Sequence, residues 1–118
     1  MSALMNPLGD AEQMAAAVRQ GEASAGELLT VSLARIEATD ARVNAFTCQT
    51  QDRAFAEADA VDARRSALVK KGDSLAALGA LAGFPYAVKN LYDIAGEVTL
   101  PGSVINRNHP PAAADPFL

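Results

Sequence analysis

The 118-residue sequence has no tryptophan, a single cysteine and a single histidine, and only 5% of it is aromatic. With Cys48 alone, an internal disulfide framework and a cysteine-rich zinc site are both excluded, which fits a reducing compartment. Cys48 reads as a small packed residue rather than a nucleophile. His109, the only histidine, stands before Pro110-Pro111, so neither a metal cluster nor a serine–histidine pair can be assembled around it. Basic residues are also few, ten against fourteen acidic ones for a net charge of -4, and they are scattered apart from Arg64-Arg65 and Lys70-Lys71. Nucleic-acid and other polyanion binding is therefore disfavoured, and the two pairs read as solvated positions at the end of a helix. No apolar run approaches the length of a membrane span. The start, Met1-Ser2-Ala3-Leu4-Met5-Asn6-Pro7, lacks the basic opening and apolar stretch of a signal peptide, so a cytoplasmic location is expected. No internal repeat is visible.

What is present is enough hydrophobic sequence for a folded core: half of the residues are apolar and 20% are charged. Three helical patterns come first. Asp10 is placed to cap a helix through Gln20, with Ala11, Met14 and Val18 on one face and Gly21 as its terminator. Ser24-Ala25-Gly26-Glu27 matches a capping box, opening a helix to about Ala38 in which Leu29, Leu33 and Ile36 recur at helical spacing. A third helix reads from about Gln51 to Lys70, with Ala54, Ala58, Val61 and Leu68 along one stripe; Arg65 falls on that stripe and is expected to snorkel at its edge. Between the second and third helices, residues 43–50 read either as a short strand or as a loop anchored by Phe46.

After Gly72 the chemistry changes. Residues 75–88 are the most apolar stretch, and a core that matures so late expects more chain after it. Phe84-Pro85-Tyr86-Ala87-Val88 looks like a strand buried on both faces, the deepest element of the chain, with Lys89 at its end. Residues 97–100 read as a second brief strand, and the tail from Asn106 onward as loop. A lysine held at the end of a buried strand is chemically informative, because burial penalises the ammonium and favours a neutral amine able to act as a base. From strand context alone, a lysine that escapes to solvent is the commoner outcome.

Local sequence reverses that preference. The run from Gly79-Ala80-Leu81-Ala82-Gly83-Phe84-Pro85 to Lys89 resembles the Gly-x-Leu-x-Gly-x-Pro-x-x-x-Lys block of the amidase-signature family. Asp93-Ile94-Ala95-Gly96, Thr99, Gly102-Ser103 and Pro110-Pro111-Ala112 with Asp115 resemble the loops that follow it. Upstream, Arg35-Ile36-Glu37 and Val43-Asn44-Ala45-Phe46 are similar to the family's N-terminal helices. The resemblance thus spans nearly all of residues 1–118, read as one partial domain with helices over about 10–70 and the lysine-bearing strand and loops over about 75–118. Asn90-Leu91, where Asp is commoner, and Ile105-Asn106-Arg107 are most similar to carboxybiuret-hydrolase-type amidases. The A subunit of a glutamyl-tRNA amidotransferase usually shows Lys-Asp-Asn at this point.

The resemblance implies an α/β fold, a mixed and largely parallel sheet covered by helices, of which this portion is mostly helical with a few short strands. It implies hydrolysis of a C–N bond in a small amide or urea-like substrate, by a serine nucleophile, a second serine that relays its proton, and a lysine as final base. By position Lys89 is that lysine. Both serines belong to a Gly-Gly-Ser-Ser-Gly-Gly type segment well downstream in the family, absent here, so the chain alone is expected to be inactive. Ser103, after Pro101-Gly102, reads as a turn serine, Ser24 is accounted for by capping, and Asp93 reads as a turn cap or a partner of Lys89. Pro101 departs from the family pattern, where a small residue is usual. No cofactor and no metal are implied. A homo-oligomer or a partner subunit is compatible with the sequence. Two other readings stay open: part of the A subunit of an amidotransferase, and a non-catalytic helical interaction module.

Overall fold

The computed structural model describes residues 10–116. Residues 1–9, on which the signal-peptide reading rests, and Phe117 and Leu118 at the end of the tail lie outside the described residues. The chain divides into two compact units, Met1–Pro85 and Tyr86–Leu118.

The first unit carries the helices: α1 (Ala11–Gln20), α2 (Ala25–Val43) and α3 (Gln51–Lys71), followed by a 3-10 turn at Leu75–Leu78. Asp10 has extended backbone and its carboxylate accepts the amide of Glu12 at 2.9 Å, satisfying one of the amides that a helix start leaves without partners. At the other end, Gly21 adopts φ 77°, while its amide donates to the carbonyl of Val18 and that of Glu22 to Ala17. This double closure is a Schellman motif, and it needs the left-handed conformation that glycine adopts without a Cβ penalty.

The capping box of α2 forms as its spacing predicts. Ser24 Oγ accepts the Glu27 amide at 3.0 Å and Glu27 Oε2 accepts the Ser24 amide at 2.8 Å. A second cap comes from another helix: Asp62, on α3, accepts the amides of Ala25 at 2.8 Å and Gly26 at 3.2 Å. A carboxylate is favoured there both by the unpaired amides and by the positive end of the helix dipole. The helix runs five residues beyond the expected end at Ala38, because nothing breaks it before Asn44, which takes φ 49° and donates its amide to Asp40.

The packed interior is small-residue and helical. Ala25, Leu29 and Ala58 form a buried cluster with Leu33, Ala54 and Val61 packed against it. On α1, Ala15, Ala17 and Val18 are buried, Val18 completely. Full burial of an aliphatic side chain of that size contributes about 1.5–3 kcal/mol. The expected stripes on α2 and α3 are therefore the ones used, with Leu28 added to the buried set.

Val43 ends α2 and residues 44–50 are loop rather than strand, the second of the two readings, and Phe46 is half-buried in it while its amide and that of Ala45 donate to Asp40. Cys48 lies exposed in this loop, which corrects its reading as a packed residue.

The strand expected before Lys89 is also corrected. Residues 84–88 form no strand, Tyr86 is 77% exposed, and the deepest residues lie instead on α1 and α2. A strand buried on both faces needs hydrogen-bonded neighbours and covering layers, and the described residues supply no ladder for it. The described part of the second unit is a set of turns, with one parallel bridge between Ala95 and Ala112 and no strand over 97–100. The expected short strands are thus reduced to that bridge, while the helical predominance stands.

Candidate functional site

The block that leads to Lys89 is gripped within the first unit. Arg19, at the end of α1, donates through Nη1 to the carbonyls of Gly79 at 3.4 Å and Ala80 at 2.5 Å. Arg64 donates to the carbonyl of Ala77 at 2.8 Å, and Arg65 donates through Nε to the carbonyl of Arg19 at 3.0 Å. The arginine pair is therefore not simply solvated. Arg65 does lie half-buried on the stripe, but its head is used to close the C-terminal end of α1. A guanidinium at a helix C-terminus satisfies a carbonyl and matches the dipole at once. Farther along, Gly83 has φ 83° and lies against Val18, so that a Cβ there would meet Val18 Cγ1 at 2.9 Å.

Lys89 itself belongs to the second unit, in a tight turn where its carbonyl accepts the amides of Leu91 at 2.7 Å and Tyr92 at 3.2 Å. Its side chain is exposed. The burial from which the sequence argument for a neutral amine starts is thus not found among the described residues.

The residues that follow Lys89 are tied to one dipeptide. Asn90 Oδ1 accepts the amide of Leu100 at 3.0 Å, and the Thr99 hydroxyl donates to Asp93 Oδ1 at 2.6 Å. Asn106 Nδ2 donates to the Thr99 carbonyl at 3.4 Å, and the Leu100 carbonyl accepts the amide of Ser103 at 2.9 Å. Asp93 therefore bonds across the loop to Thr99 rather than simply capping its own turn. Asp115 accepts the amide of Ala95 at 3.0 Å, and the Ala112 amide and carbonyl bond to Glu97 and Gly96 at 2.9 Å each. Motif residues 90, 93, 99 and 115 thus share one task, fixing loops to one another.

Ser103 is the turn serine expected of it: its Oγ accepts the amide of Ile105 at 3.2 Å. Ser24 is the cap of α2. His109 is exposed, with its amide donated to Asn106. Among the described residues no group of three or more histidine, cysteine or acidic side chains is arranged to hold a metal ion. No described helix is long and apolar enough to cross a membrane. An open groove of about 450 Å³ runs along the first unit between α2 and α3, lined by Gly26, Thr30, Val31, Phe55 and Asp59 among others. It contains none of the residues singled out for chemistry.

Several residues that tie loops and helices together within each unit were not found from the sequence. Asp62, Arg19 and Arg64 act across long sequence separations, and no local pattern marks them. Asn90 and Asp115 stand inside recognisable motifs, but a motif gives identity and not the bond that the side chain makes.

Residues 27–116 match the family model described as Amidase. The chain is 52% identical over 101 residues to the AtzE subunit of the 1-carboxybiuret hydrolase of Pseudomonas sp. (strain ADP), covering 86% of this chain and 21% of that protein. It is 39% identical over 95 residues to the A subunit of the glutamyl-tRNA(Gln) amidotransferase of Streptomyces coelicolor, covering 80% of this chain and 18% of that one. A solved structure described as an unexpected vestigial protein complex that reveals the evolutionary origins of an s-triazine catabolic enzyme superposes with a TM-score of 0.81 at 48% identity, over 91% of this chain and 22% of that one. The chain spans about a fifth of the length of the curated relatives it matches.

Proposed function

The chain belongs to the amidase family, and from that premise we propose that it is the N-terminal part of an amidase that hydrolyses a C–N bond in a small amide or urea-like substrate, with Lys89 as the final base. The neutral amine of Lys89 takes the proton of a relay serine, which in turn takes that of the nucleophilic serine as it attacks the carbonyl. Backbone amides of the glycine- and serine-rich segment hold the oxyanion of the tetrahedral intermediate. That segment is not in the 118 residues, so these residues contribute the base and its supporting loops and not the nucleophile. Full assembly covers Lys89 and dries its surroundings, which is what a neutral lysine requires.

The observation that carries this reading is the 52% identity to the AtzE protein of a 1-carboxybiuret hydrolase, over a stretch that includes the lysine block. It also favours a urea-like substrate over a simple alkyl amide. A partner chain is favoured over a solitary one, since that relative is named as one subunit of its enzyme and the matched solved structure is described as a complex. The reading places the enzyme in the cytoplasm, in keeping with a single exposed cysteine.

The test is turnover of 1-carboxybiuret by the longer protein that contains this chain. Lys89→Ala and Lys89→Arg are expected to lower kcat about a thousandfold or more, within the range for removing an essential base. The 118 residues alone are expected to show no turnover. Wild-type rates in Lys89→Ala, or turnover by the isolated chain, overturns the assignment.

A second reading has its own support: 39% identity to the A subunit of an amidotransferase. Asn90-Leu91 after Lys89, where that protein usually has Asp-Asn, favours the hydrolase. Complementation of an amidotransferase-deficient strain by the longer protein decides for this second reading.

A further inference from the structure

Lys89 and the dipeptide Thr99-Leu100 are joined through its neighbours, and the bonds concentrate unusually. The Leu100 amide donates to Asn90 and the Leu100 carbonyl accepts from Ser103, while the Thr99 hydroxyl donates to Asp93 and the Thr99 carbonyl accepts from Asn106. No strand or helix fixes residues 89–100, so side chains supply the order that a ladder supplies elsewhere. Among these bonds only that of Asn90 starts one residue from the lysine. It is half-buried at both ends, and it closes a loop whose first corner is the Lys89 carbonyl, already shared by the Leu91 and Tyr92 amides. A change of backbone direction at residue 90 therefore passes straight into the Cα–Cβ direction of Lys89.

We propose that Asn90 is a positioning residue for Lys89, setting the direction of the lysine side chain through the bond from Asn90 Oδ1 to the Leu100 amide. The proposal rests on the reading of Lys89 as the final base. Its chemistry is an acceptor of fixed reach: an amide or carboxylate oxygen at that length completes the bond, and shorter side chains leave the Leu100 amide without it. Asp93 makes the parallel bond to Thr99 four residues from the lysine, too far along the turn to set its direction.

The experiment measures kcat and KM for 1-carboxybiuret, per folded molecule and well below the melting temperature, in the longer protein carrying Asn90→Ala, Asn90→Asp, Asn106→Ala or Lys89→Ala. Asn90→Ala is expected to lower kcat about ten- to a hundredfold, the scale of an ångström-sized misplacement, with KM within about twofold. Its pH profile is expected to keep the limb that reports the base, displaced from its wild-type position, whereas Lys89→Ala loses that limb. Asn90→Asp keeps the acceptor and is expected to restore most of kcat. Asn106→Ala, which breaks the bond to the Thr99 carbonyl, is expected to keep kcat. If Asn90→Ala does not fold, Asn90→Ser, too short to reach Leu100, replaces it. Normal kcat and pH profile in the Asn90 variants, alongside an inactive Lys89→Ala, overturns this proposal alone. An active Lys89→Ala overturns the base assignment and the positioning role with it.

Discussion

Gly83 lies on Val18 so closely that a methyl group at its Cα would come within 2.9 Å of Val18 Cγ1 and 3.0 Å of Cγ2. Val18 is completely buried and Gly83 has φ 83°, so the position is closed to other residues twice over, by backbone and by space. The second glycine of the lysine block is thus a packing device: it lets the main chain approach α1 where any side chain would hold it off.

Gly83→Ala is expected to destabilise the protein by about 2–4 kcal/mol, the sum of a left-handed conformation for an L-residue and local overpacking. Urea denaturation measures it. Adding Val18→Ala to Gly83→Ala is expected to recover part of the steric share and none of the backbone share, so the double variant loses less stability than the two single losses added together.

Asp62→Ala removes the carboxylate that caps α2 from outside and leaves the Ala25 and Gly26 amides without it. A loss of about 1–2 kcal/mol is expected, with Asp62→Asn costing less because one acceptor oxygen remains. The check is the denaturation midpoint together with hydrogen exchange of those two amides. Unchanged exchange at Ala25 and Gly26 contradicts the cap.

Arg19→Met keeps the apolar stem and removes the guanidinium that holds the Gly79 and Ala80 carbonyls. The expected cost is about 1–2 kcal/mol, the range for hydrogen bonds from a charged donor. Amides of residues 82–84 are expected to exchange faster, while those in the middle of α3 keep their protection.

Ser103→Ala tests the temptation to read a serine after Pro101-Gly102 as a nucleophile. Its hydroxyl oxygen accepts the Ile105 amide in an exposed turn. Activity of the longer protein is expected to stay within about twofold, with stability changed by at most about 0.5–1 kcal/mol. A large fall in kcat at normal stability contradicts the turn assignment.

Local rules made the helical half of the chain legible. Asp10, Ser24 with Glu27, and Gly21 are short-range signals, and each acts within one turn of where it stands. The stripe of Ala54, Ala58 and Val61 follows from period alone. Residues 84–88 went the other way, because an apolar run records a preference for burial without stating what covers it, and here Tyr86 and Val88 are exposed. The arginine grip on residues 77–80 and the Asp62 cap join positions far apart in the chain, beyond the range of any periodic pattern. At the candidate site, Lys89 was legible as a motif position, whereas Asn90, Asp93 and Thr99 were legible as letters whose bonds depend on the folded path of the loop between them.

The seam between α2 and α3 is made largely of methyl groups, from Ala25, Ala54 and Ala58 around Leu29. A methyl has no rotamer to choose, so the gap between the two helix axes is dictated by main chain and cannot be retuned by side-chain repacking. Exchanging an alanine there for valine or leucine forces a wedge instead of filling a hollow, and the strain reaches the carboxylate of Asp62, one turn along the same helix. Drift within this scaffold is accordingly expected to run through its loops, where each tie is a single replaceable side chain, and to spare the seam.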